Sequence, residues 1–102
     1  MKIVRVQYTV AKSFVPVNQE NIRKITAELE ELHHPGIHYS AYLLADGQTF
    51  MHLDTFSDEA AHEVLQQLQS FKLFDAALSA SGWLKPPELE FLIGVSNTQP
   101  PF

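Results

Sequence analysis

The dipeptide Asp46-Gly47 stands between two runs of alternating apolar and polar residues, 37–44 and 48–56. This arrangement is a strong signal for a β-hairpin, because glycine adopts the positive φ that a tight turn requires. The two runs therefore predict an antiparallel pair of strands in the middle of the chain. Every other element has to cover one face of that pair or extend its edges.

The register of this hairpin has two solutions. A two-residue loop pairs Ala45 with Gln48, whereas a three-residue loop with Gly47 left-handed pairs Leu44 with Gln48. We prefer the second register, because it gathers the more apolar side chains on one face for packing against helices. That face carries Ile37, Tyr39, Ala41, Leu43, Met51 and Leu53, and the opposite face carries His38, Ser40, Tyr42, Phe50, His52 and Asp54.

A strand and a helix are predicted on each side of the hairpin. Residues 3–10 and 89–95 alternate as strands do. Asn18 can cap a first helix whose apolar positions recur every three or four residues, and Ser57 begins a second helix. The order β-α-β-β-α-β predicts a ferredoxin-like α+β fold with an antiparallel sheet.

The 102 residues fit one domain, which we expect to span 1–96 with a tail at 97–102. Twelve acidic against seven scattered basic residues give a net charge of −5, which argues against nucleic-acid binding. No polybasic segment and no apolar run of about 20 residues indicates a membrane. The lack of cysteine excludes disulfides, thiolate metal sites and cysteine nucleophiles, and we expect a cytoplasmic protein.

Helices on one side of a four-stranded sheet leave the other face uncovered. The predicted uncovered face mixes large apolar groups with His, Asp and Arg, and a face exposed to water rarely carries so many large apolar side chains. We therefore expect a homodimer in which this face meets its own copy and leaves a pocket. The face consists of Ile3, Arg5, Gln7, Thr9, His38, Ser40, Tyr42, Phe50, His52, Asp54, Phe56, Glu90 and Leu92.

Three segments, 34–39, 55–61 and 70–74, point to a known family. They carry a Pro-Gly before the second strand, an aromatic residue with acidic-Ala-Ala at the entry to the second helix, and a Ser/His-x-x-Phe-like segment after it. Across most of residues 1–83 the chain resembles the antibiotic-biosynthesis-monooxygenase-type dimeric α/β-barrel family. The resemblance implies a dimeric α/β barrel. It also suggests one of three activities: cofactor-independent oxidation of polyketide aromatics, haem degradation, or isomerisation of small molecules.

Haem-degrading relatives of this kind use an Asn on the first strand, a Trp at the end of the third and a His on the second helical segment. The matching positions in this chain are Gln7, Phe56 and Asp75, so all three differ. Haem would therefore need another axial ligand. We expect this branch to be less suitable than the others, and we expect no cofactor.

The resemblance and the mixed face together predict a pocket, enclosed by the sheets and helices of the dimer, for a small aromatic or enolisable molecule. We expect His52, Arg5 and Tyr42 to be catalytic, with His52 as a general base and Arg5 holding a carboxylate or enolate. The predicted substrate contacts are Gln7, His38, Ser40, Phe50, Asp54 and Phe56. His38, His52 and Asp54 could together bind a divalent metal, but strand spacings carry no ligand signature and we expect none.

Two classes of function remain open. The first is an enzyme, either a cofactor-independent monooxygenase or an isomerase. The second is a non-catalytic dimeric module that binds a small ligand or is associated with a stress response. In such a module the same residues only complete a polar core. An open cavity would favour the first class and a filled interior the second.

Overall fold

A computed structural model describes residues 1–99 and 102 of the chain. The elements follow in the order β-α-β-β-α-α-β, with a short 3₁₀ turn at Lys12–Phe14. The strands are β1 (Lys2–Thr9), β2 (Ile37–Leu43), β3 (Thr49–Phe56) and β4 (Lys85–Leu92), and the helices are α1 (Val15–Leu32), α2 (Glu59–Gln67) and α3 (Gln69–Ala80). The predicted ferredoxin-like α+β fold is confirmed.

The strands form one antiparallel sheet in the order β2-β3-β1-β4. Successive side chains of a strand point to opposite faces, so alternate residues of each strand meet the helices, which lie on one face only. The core forms between that face and the helices. It consists of Val4, Tyr8, Val10, Ile22, Ile25, Phe50, Phe56, Ala61, Leu65, Phe74 and Leu78.

The preferred register of the hairpin is wrong by one residue, and the strands pair in the other register considered, which puts Ala45 opposite Gln48. Leu44 N donates to Thr49 O at 2.8 Å, so Leu44 is opposite Thr49 and not opposite Gln48. The carboxylate of Asp46 accepts hydrogen bonds from the backbone nitrogens of Gln48 and Thr49, both at 2.9 Å. These bonds hold this turn, and Gly47 takes the positive φ of 74° that the turn requires.

This shift exchanges the two faces of β3. Phe50, His52, Asp54 and Phe56 lie beneath the helices, so their placement on the uncovered face is wrong. A strand has a period of two, and a slip of one residue moves all of its side chains to the other face. Residues predicted on the uncovered face from β1 and β2 do lie there, joined by Met51, Leu53 and Thr55 from β3: they are Ile3, Arg5, Gln7, Thr9, His38, Ser40 and Tyr42.

The predicted starts of both helices are also wrong. α1 begins ahead of Asn18 and carries Pro16 in its first turn, where a missing N–H costs nothing. Asn18 is fully buried inside α1 and is not a cap. The cap of α2 is Asp58, not Ser57, and its carboxylate accepts from Ala61 N at 2.8 Å. Within residues 1–99 and 102, no helix combines the length and apolar character needed to cross a membrane.

The last strand, β4, occupies Lys85–Leu92 and not 89–95, and it includes two prolines, which an edge strand tolerates. Leu89 and Phe91 point to the helix side of the sheet, as their partners on β1 do. They are nevertheless 55% and 64% exposed, because the helices do not cover this edge. The predicted tail at 97–102 includes residues 100 and 101, which lie outside the described residues, and its boundary stays a prediction.

Candidate functional site

A cavity of about 220 Å³ lies between the helix side of the sheet and helices α2 and α3. Such a site, largely apolar with a few convergent polar groups, is typical of small-molecule binding. Three other surface depressions among the described residues, of about 220 to 420 Å³, are not lined by Tyr8, His52 or Asp54, which are buried titratable side chains of this cavity. The cavity is lined by Val4, Val6, Tyr8, Tyr39, His52, Asp54, His62, Leu65, Gln66, Phe71, Phe74, Asp75, Leu78, Pro87 and Leu89.

A chain of hydrogen bonds crosses the floor of this cavity. Nδ2 of Asn18 donates to the hydroxyl of Tyr8 at 2.8 Å, and that hydroxyl lies 2.8 Å from Nε2 of His52. Nδ1 of His52 lies 3.2 Å from the hydroxyl of Tyr39. The four residues come from α1, β1, β3 and β2, so the chain joins four elements. The His52 ring is fixed, because both nitrogens are engaged and the residue is only 5% exposed.

Burial moves the pKa values of the cavity's polar groups in opposite directions. It raises the pKa of Asp54 to about 7 and lowers the pKa of His52 to about 4, because apolar surroundings disfavour charge. Burial also raises the pKa of Tyr39 and of Tyr8 above the ordinary tyrosine range, although the Asn18 hydrogen bond opposes it at Tyr8. At neutral pH Asp54 is therefore about half ionised, whereas His52 is neutral and both tyrosines keep their protons.

Asp54 supplies an unused hydrogen-bond acceptor. The residue is 8% exposed, and its Oδ1 has no hydrogen-bond partner among the described residues. Tyr39 on β2 and Val4 on β1 are its direct cross-strand neighbours. Leaving a buried acceptor without a partner costs about 1–3 kcal/mol. A bound molecule that brings an acidic proton to this carboxyl would remove that cost.

His62 forms one wall of the cavity. Its Nδ1 lies 2.8 Å from Nζ of Lys2, and its ring stacks on Phe56 with centroids 4.4 Å apart. Lys2 also pairs with Glu59 at 2.8 Å. Burial first, and then the Lys2 charge, lower the pKa of His62, so the ring favours its neutral form.

The charges around the cavity disfavour anionic ligands. Neither Lys nor Arg occurs among its lining residues, within the part of the chain that the structure describes. Asp54 and Asp75 both line it, and each would repel a carboxylate or phosphate. The site therefore suits a neutral molecule.

Comparison with known proteins finds similar structures but no match in sequence. No family model matches the sequence, and no curated protein matches it. A crystal structure described as an antibiotic biosynthesis monooxygenase aligns with a TM-score of 0.76 over 94% of this chain and 100% of that chain, at 13% identity. Candidate antibiotic biosynthesis monooxygenases from Bacteroides thetaiotaomicron and Nitrosomonas europaea give TM-scores of 0.82 and 0.79, at 13% and 12% identity. These alignments cover 97% and 96% of this chain and 93% of each of the others.

The chain has the fold of the antibiotic biosynthesis monooxygenases. The resemblance expected from the sequence is thereby confirmed at the level of the fold. At these sequence identities the structural similarity does not identify site residues in this chain. The chemistry therefore has to be derived from the cavity itself.

Within this antibiotic biosynthesis monooxygenase fold, the predicted catalytic set is divided between two faces. His52 and Asp54 line the cavity, whereas Arg5 and Tyr42 lie on the uncovered face of the sheet. The Arg5 guanidinium already has partners on that face, because Nη1 donates to Glu90 at 3.0 Å and Nη2 donates to the side chain of Gln7. Within one chain His52 therefore does not lie beside Arg5 and Tyr42, and the catalytic roles of the three residues stay a prediction.

The predicted substrate contacts are divided in the same way. Gln7, His38 and Ser40 belong to the uncovered face, where the Ser40 hydroxyl donates to the Leu53 carbonyl at 3.0 Å. Phe50 and Phe56 are core residues beneath the helices and do not line the cavity.

The structure also separates the residues considered for a metal. His38 and His52 lie on opposite faces, and residues 1–99 and 102 contain no cluster of three metal-ligating side chains. Haem does not fit the donor set of the cavity either. Both nitrogens of His52 are engaged by tyrosines, and those of His62 by Lys2 and Gln66, so neither imidazole offers a free axial nitrogen.

Three important residues were not predicted from the sequence. From the sequence, Tyr39 is expected on the apolar face of its strand and Asn18 as a helix cap, and no role is expected for Tyr8. One signal did indicate Asn18: it precedes Ile22 and Ile25 by four and seven residues, which places it on the buried stripe of its helix. A polar residue at such a position needs a buried partner, and Tyr8 provides one.

Proposed function

We propose that the cavity between the sheet and helices α2 and α3 is the active site of a cofactor-independent monooxygenase for a small aromatic or enolisable molecule. The observation that carries this proposal is Asp54, a buried carboxyl with an unused oxygen in a largely apolar cavity. Tyr39, directly opposite on β2, supplies a hydroxyl in the same cavity. The monooxygenase names of solved structures with this fold support the reaction class.

The reaction begins with transfer of a proton to the Asp54 carboxylate, from the activated C–H of a ketone or from the O–H of a phenol. Tyr39 donates a hydrogen bond to the substrate oxygen on which the negative charge collects. The resulting enolate or phenolate reduces dioxygen: the methylene carbon of the ketone, or a ring C–H carbon of the phenol, becomes a carbonyl, one oxygen atom enters the product and the other leaves as water. The substrate supplies all the electrons, so the balance requires no other reductant.

The dimensions and charge of the cavity limit the substrate. A cavity of about 150 Å³ accommodates benzene, and drug-sized ligands occupy sites of about 300–1,000 Å³. A cavity of about 220 Å³ therefore suits a molecule of one or two rings. The absence of lining Lys or Arg among the described residues favours a neutral molecule.

Oxygen uptake with 2-tetralone, 1-naphthol and hydroquinone tests this proposal, since all three are small, neutral and readily oxidised. For 2-tetralone, we expect one dioxygen consumed per diketone, with one ¹⁸O atom from ¹⁸O₂ in the product. Asp54→Asn removes the base and should lower kcat/KM about 10²–10⁴-fold. Glu31→Gln changes an exposed carboxyl on α1 and serves as the matched control.

Other results would contradict the enzyme proposal in specific ways. Binding of the probes without oxygen uptake would favour a non-catalytic binding module. Rearrangement of a probe without oxygen uptake would favour an isomerase. Equal activity of Asp54→Asn and the wild type would reject Asp54 as the base.

We propose further that the protein forms a homodimer through the sheet and its β4 edge. Leu89 and Phe91 on this edge are more than half exposed, and Ile93 and Val95 continue the apolar strip beyond it. Contiguous apolar surface of this kind is rare on monomers and marks an interaction site. Leu89 also lines the cavity, so a second copy seated on this strip would close the cavity's open side.

Sedimentation velocity at about 10 μM tests this assembly. We expect the wild type to sediment as a dimer, and Phe91→Glu to sediment as a monomer because the partner cannot bury a carboxylate there. Glu63→Gln on the exposed side of α2 is the control and should remain dimeric. A monomeric wild type at this concentration would contradict the proposal.

A further inference from the structure

Asn18 occupies an unusual position for an amide side chain. It lies inside α1 with 0% of its surface exposed, and its Nδ2 donates to the Tyr8 hydroxyl at 2.8 Å. Its Oδ1 has no hydrogen-bond partner among the described residues, and Asn18 itself does not line the cavity. Its effect on the site therefore has to pass through Tyr8.

Asn18 restricts where the Tyr8 hydroxyl can send its proton, because it presents a donor and no acceptor to that oxygen. A hydroxyl has a single proton, and it can accept from Asn18 while donating that proton elsewhere. The His52 Nε2 atom, at 2.8 Å, is the other polar partner of this oxygen. If Nε2 carried a proton, the Tyr8 hydroxyl would accept twice, and its own proton would be buried without an acceptor.

The same count of donors and acceptors determines the direction of the other hydrogen bonds. Because Tyr8 donates to Nε2, neutral His52 must carry its proton on Nδ1, and this N–H donates to the Tyr39 oxygen at 3.2 Å. The Tyr39 oxygen is then an acceptor from the protein. Its own proton is left over and faces the cavity that Tyr39 lines.

We propose that Asn18 is a positioning residue that sets the direction of the Asn18–Tyr8–His52–Tyr39 chain, so that Tyr39 presents a hydrogen-bond donor to the ligand. Reversing the chain would turn the Tyr39 proton toward His52 and leave only a lone pair for the ligand. The role as a positioning residue in catalysis rests on the proposed function, in which Tyr39 stabilises the enolate oxygen. The direction of the chain does not depend on that function.

Long-range ¹H–¹⁵N correlation spectra of the ¹⁵N-labelled protein at pH 7 read the His52 tautomer directly. We expect the Nδ1–H tautomer to dominate in the wild type. A dominant Nε2–H tautomer, or an even mixture, would overturn the proposal without recourse to any variant or substrate.

Asn18→Asp tests whether Asn18 is the cause, since aspartate has the same size and replaces the donor with an acceptor. The Tyr8 proton then has a partner besides Nε2, and we expect the Nε2–H share to rise to a comparable population or more. Asn18→Leu removes the donor without adding an acceptor and should keep the Nδ1–H tautomer. Asn21→Asp makes the same change at another asparagine of the same helix and should also keep it. An unchanged tautomer in Asn18→Asp would reject the role of Asn18.

The oxygen-uptake assay separates this inference from the proposed function. We expect Asn18→Asp to lower kcat about tenfold with little change in KM, on the scale of one lost hydrogen bond in the transition state. If the wild type shows the Nδ1–H tautomer but no oxygenase activity, the direction of the chain stands and the proposed function fails. Unchanged kcat with a shifted tautomer would overturn the positioning role alone.

Discussion

His52 and Asp54 show how neighbouring positions on one strand acquire different chemistry. Both side chains of β3 face the same cavity, but burial holds the imidazole neutral through a lowered pKa and keeps the carboxyl partly protonated through a raised one. His52 has both nitrogens engaged, whereas Asp54 has an oxygen free. The carboxyl is therefore the group that can exchange a proton with a ligand, and the imidazole holds the tyrosines in place.

The pH dependence of turnover follows from the state of Asp54. The base must be ionised to accept a proton, and burial raises its pKa to about 7. We expect kcat/KM for 2-tetralone to rise with pH between 6 and 8 and then to level off. An oxygen electrode at constant ionic strength measures this profile. A rate that is flat from pH 5 to 8 would show that no group with a pKa near 7 controls the step.

Stability should respond to Asp54 in the opposite sense. The folded-state pKa of about 7 lies above the ordinary value of about 3.9. The folded protein then retains a proton that the unfolded chain loses, so stability falls as pH rises from about 4 through 7. Asp54→Asn cannot ionise, and we expect its stability relative to the wild type to improve by a few kcal/mol between pH 4 and pH 8, since each pKa unit corresponds to about 1.4 kcal/mol. Urea unfolding of both proteins at the two pH values measures this difference, and a pH-independent difference would contradict it.

Sequence patterns identified His52 and Asp54 as pocket residues but placed them on the wrong face. The reason is local: the strands pair as a two-residue Asp46-Gly47 loop would place them, and the backbone nitrogens of Gln48 and Thr49 donate to the Asp46 carboxylate and hold this turn. Arg5 and Tyr42 were placed on the correct face, and they were separated from His52 by the same shift. Alternation shows which residues share a face of one strand, but the loop decides which faces of two strands coincide.

At the level of elements, the side chain of Glu28 connects two helices. Its Oε1 on α1 accepts from the Ser70 backbone nitrogen at 3.0 Å and from the Ser70 hydroxyl at 2.6 Å. Ser70 lies in the first turn of α3, whose own N-cap, Leu68, has no side-chain acceptor. Glu28 thus acts as a cap supplied by a neighbouring helix.

Removing this cap should cost stability in a pH-dependent manner. We expect Glu28→Ala to lower the free energy of unfolding by about 1 kcal/mol at pH 7, as loss of an N-cap does. The hydrogen bonds from Ser70 lower the folded-state pKa of Glu28, so its contribution is present at neutral pH and is lost as pH falls through that value. Urea unfolding at pH 7 and pH 3 measures the effect, with Glu31→Ala as the exposed control. Equal destabilisation by both variants would contradict the capping role.

Patterns of alternation and helical spacing predicted the type and order of the elements, because each buries one apolar face. The ends of the elements were less predictable. The last strand is expected to begin at 89, yet Pro86 and Pro87 also belong to β4, since an edge strand does not need all of its backbone donors. The start of α1 was also hard to predict, because a 3₁₀ turn without a capping side chain precedes the helix.

At the level of the whole molecule, the β4 edge connects assembly with ligand binding. Leu89 belongs both to the exposed apolar strip and to the wall of the cavity. A second copy on the strip would shield the cavity, and a cavity shielded from water should bind an apolar ligand more tightly. Ligand and partner should therefore favour each other, because such coupling is reciprocal.

This coupling predicts that 1-naphthol strengthens the dimer. We expect the dimer dissociation constant, measured by sedimentation at several protein concentrations, to fall about fivefold or more at saturating 1-naphthol, the lower end of typical coupling between sites. Phe91→Glu should bind 1-naphthol more weakly than the wild type. A dissociation constant that is unaffected by 1-naphthol would show that the strip and the cavity act independently.

The location of the ligand is the most direct test of the proposed site, and backbone NMR shifts during a titration with 1-naphthol measure it. We expect the largest shifts at Tyr39, His52, Leu65 and Phe74, which line the cavity between the sheet and the helices. Shifts concentrated instead at Arg5, Ser40 and Tyr42 would place the ligand on the uncovered face of the sheet and contradict the proposed active site.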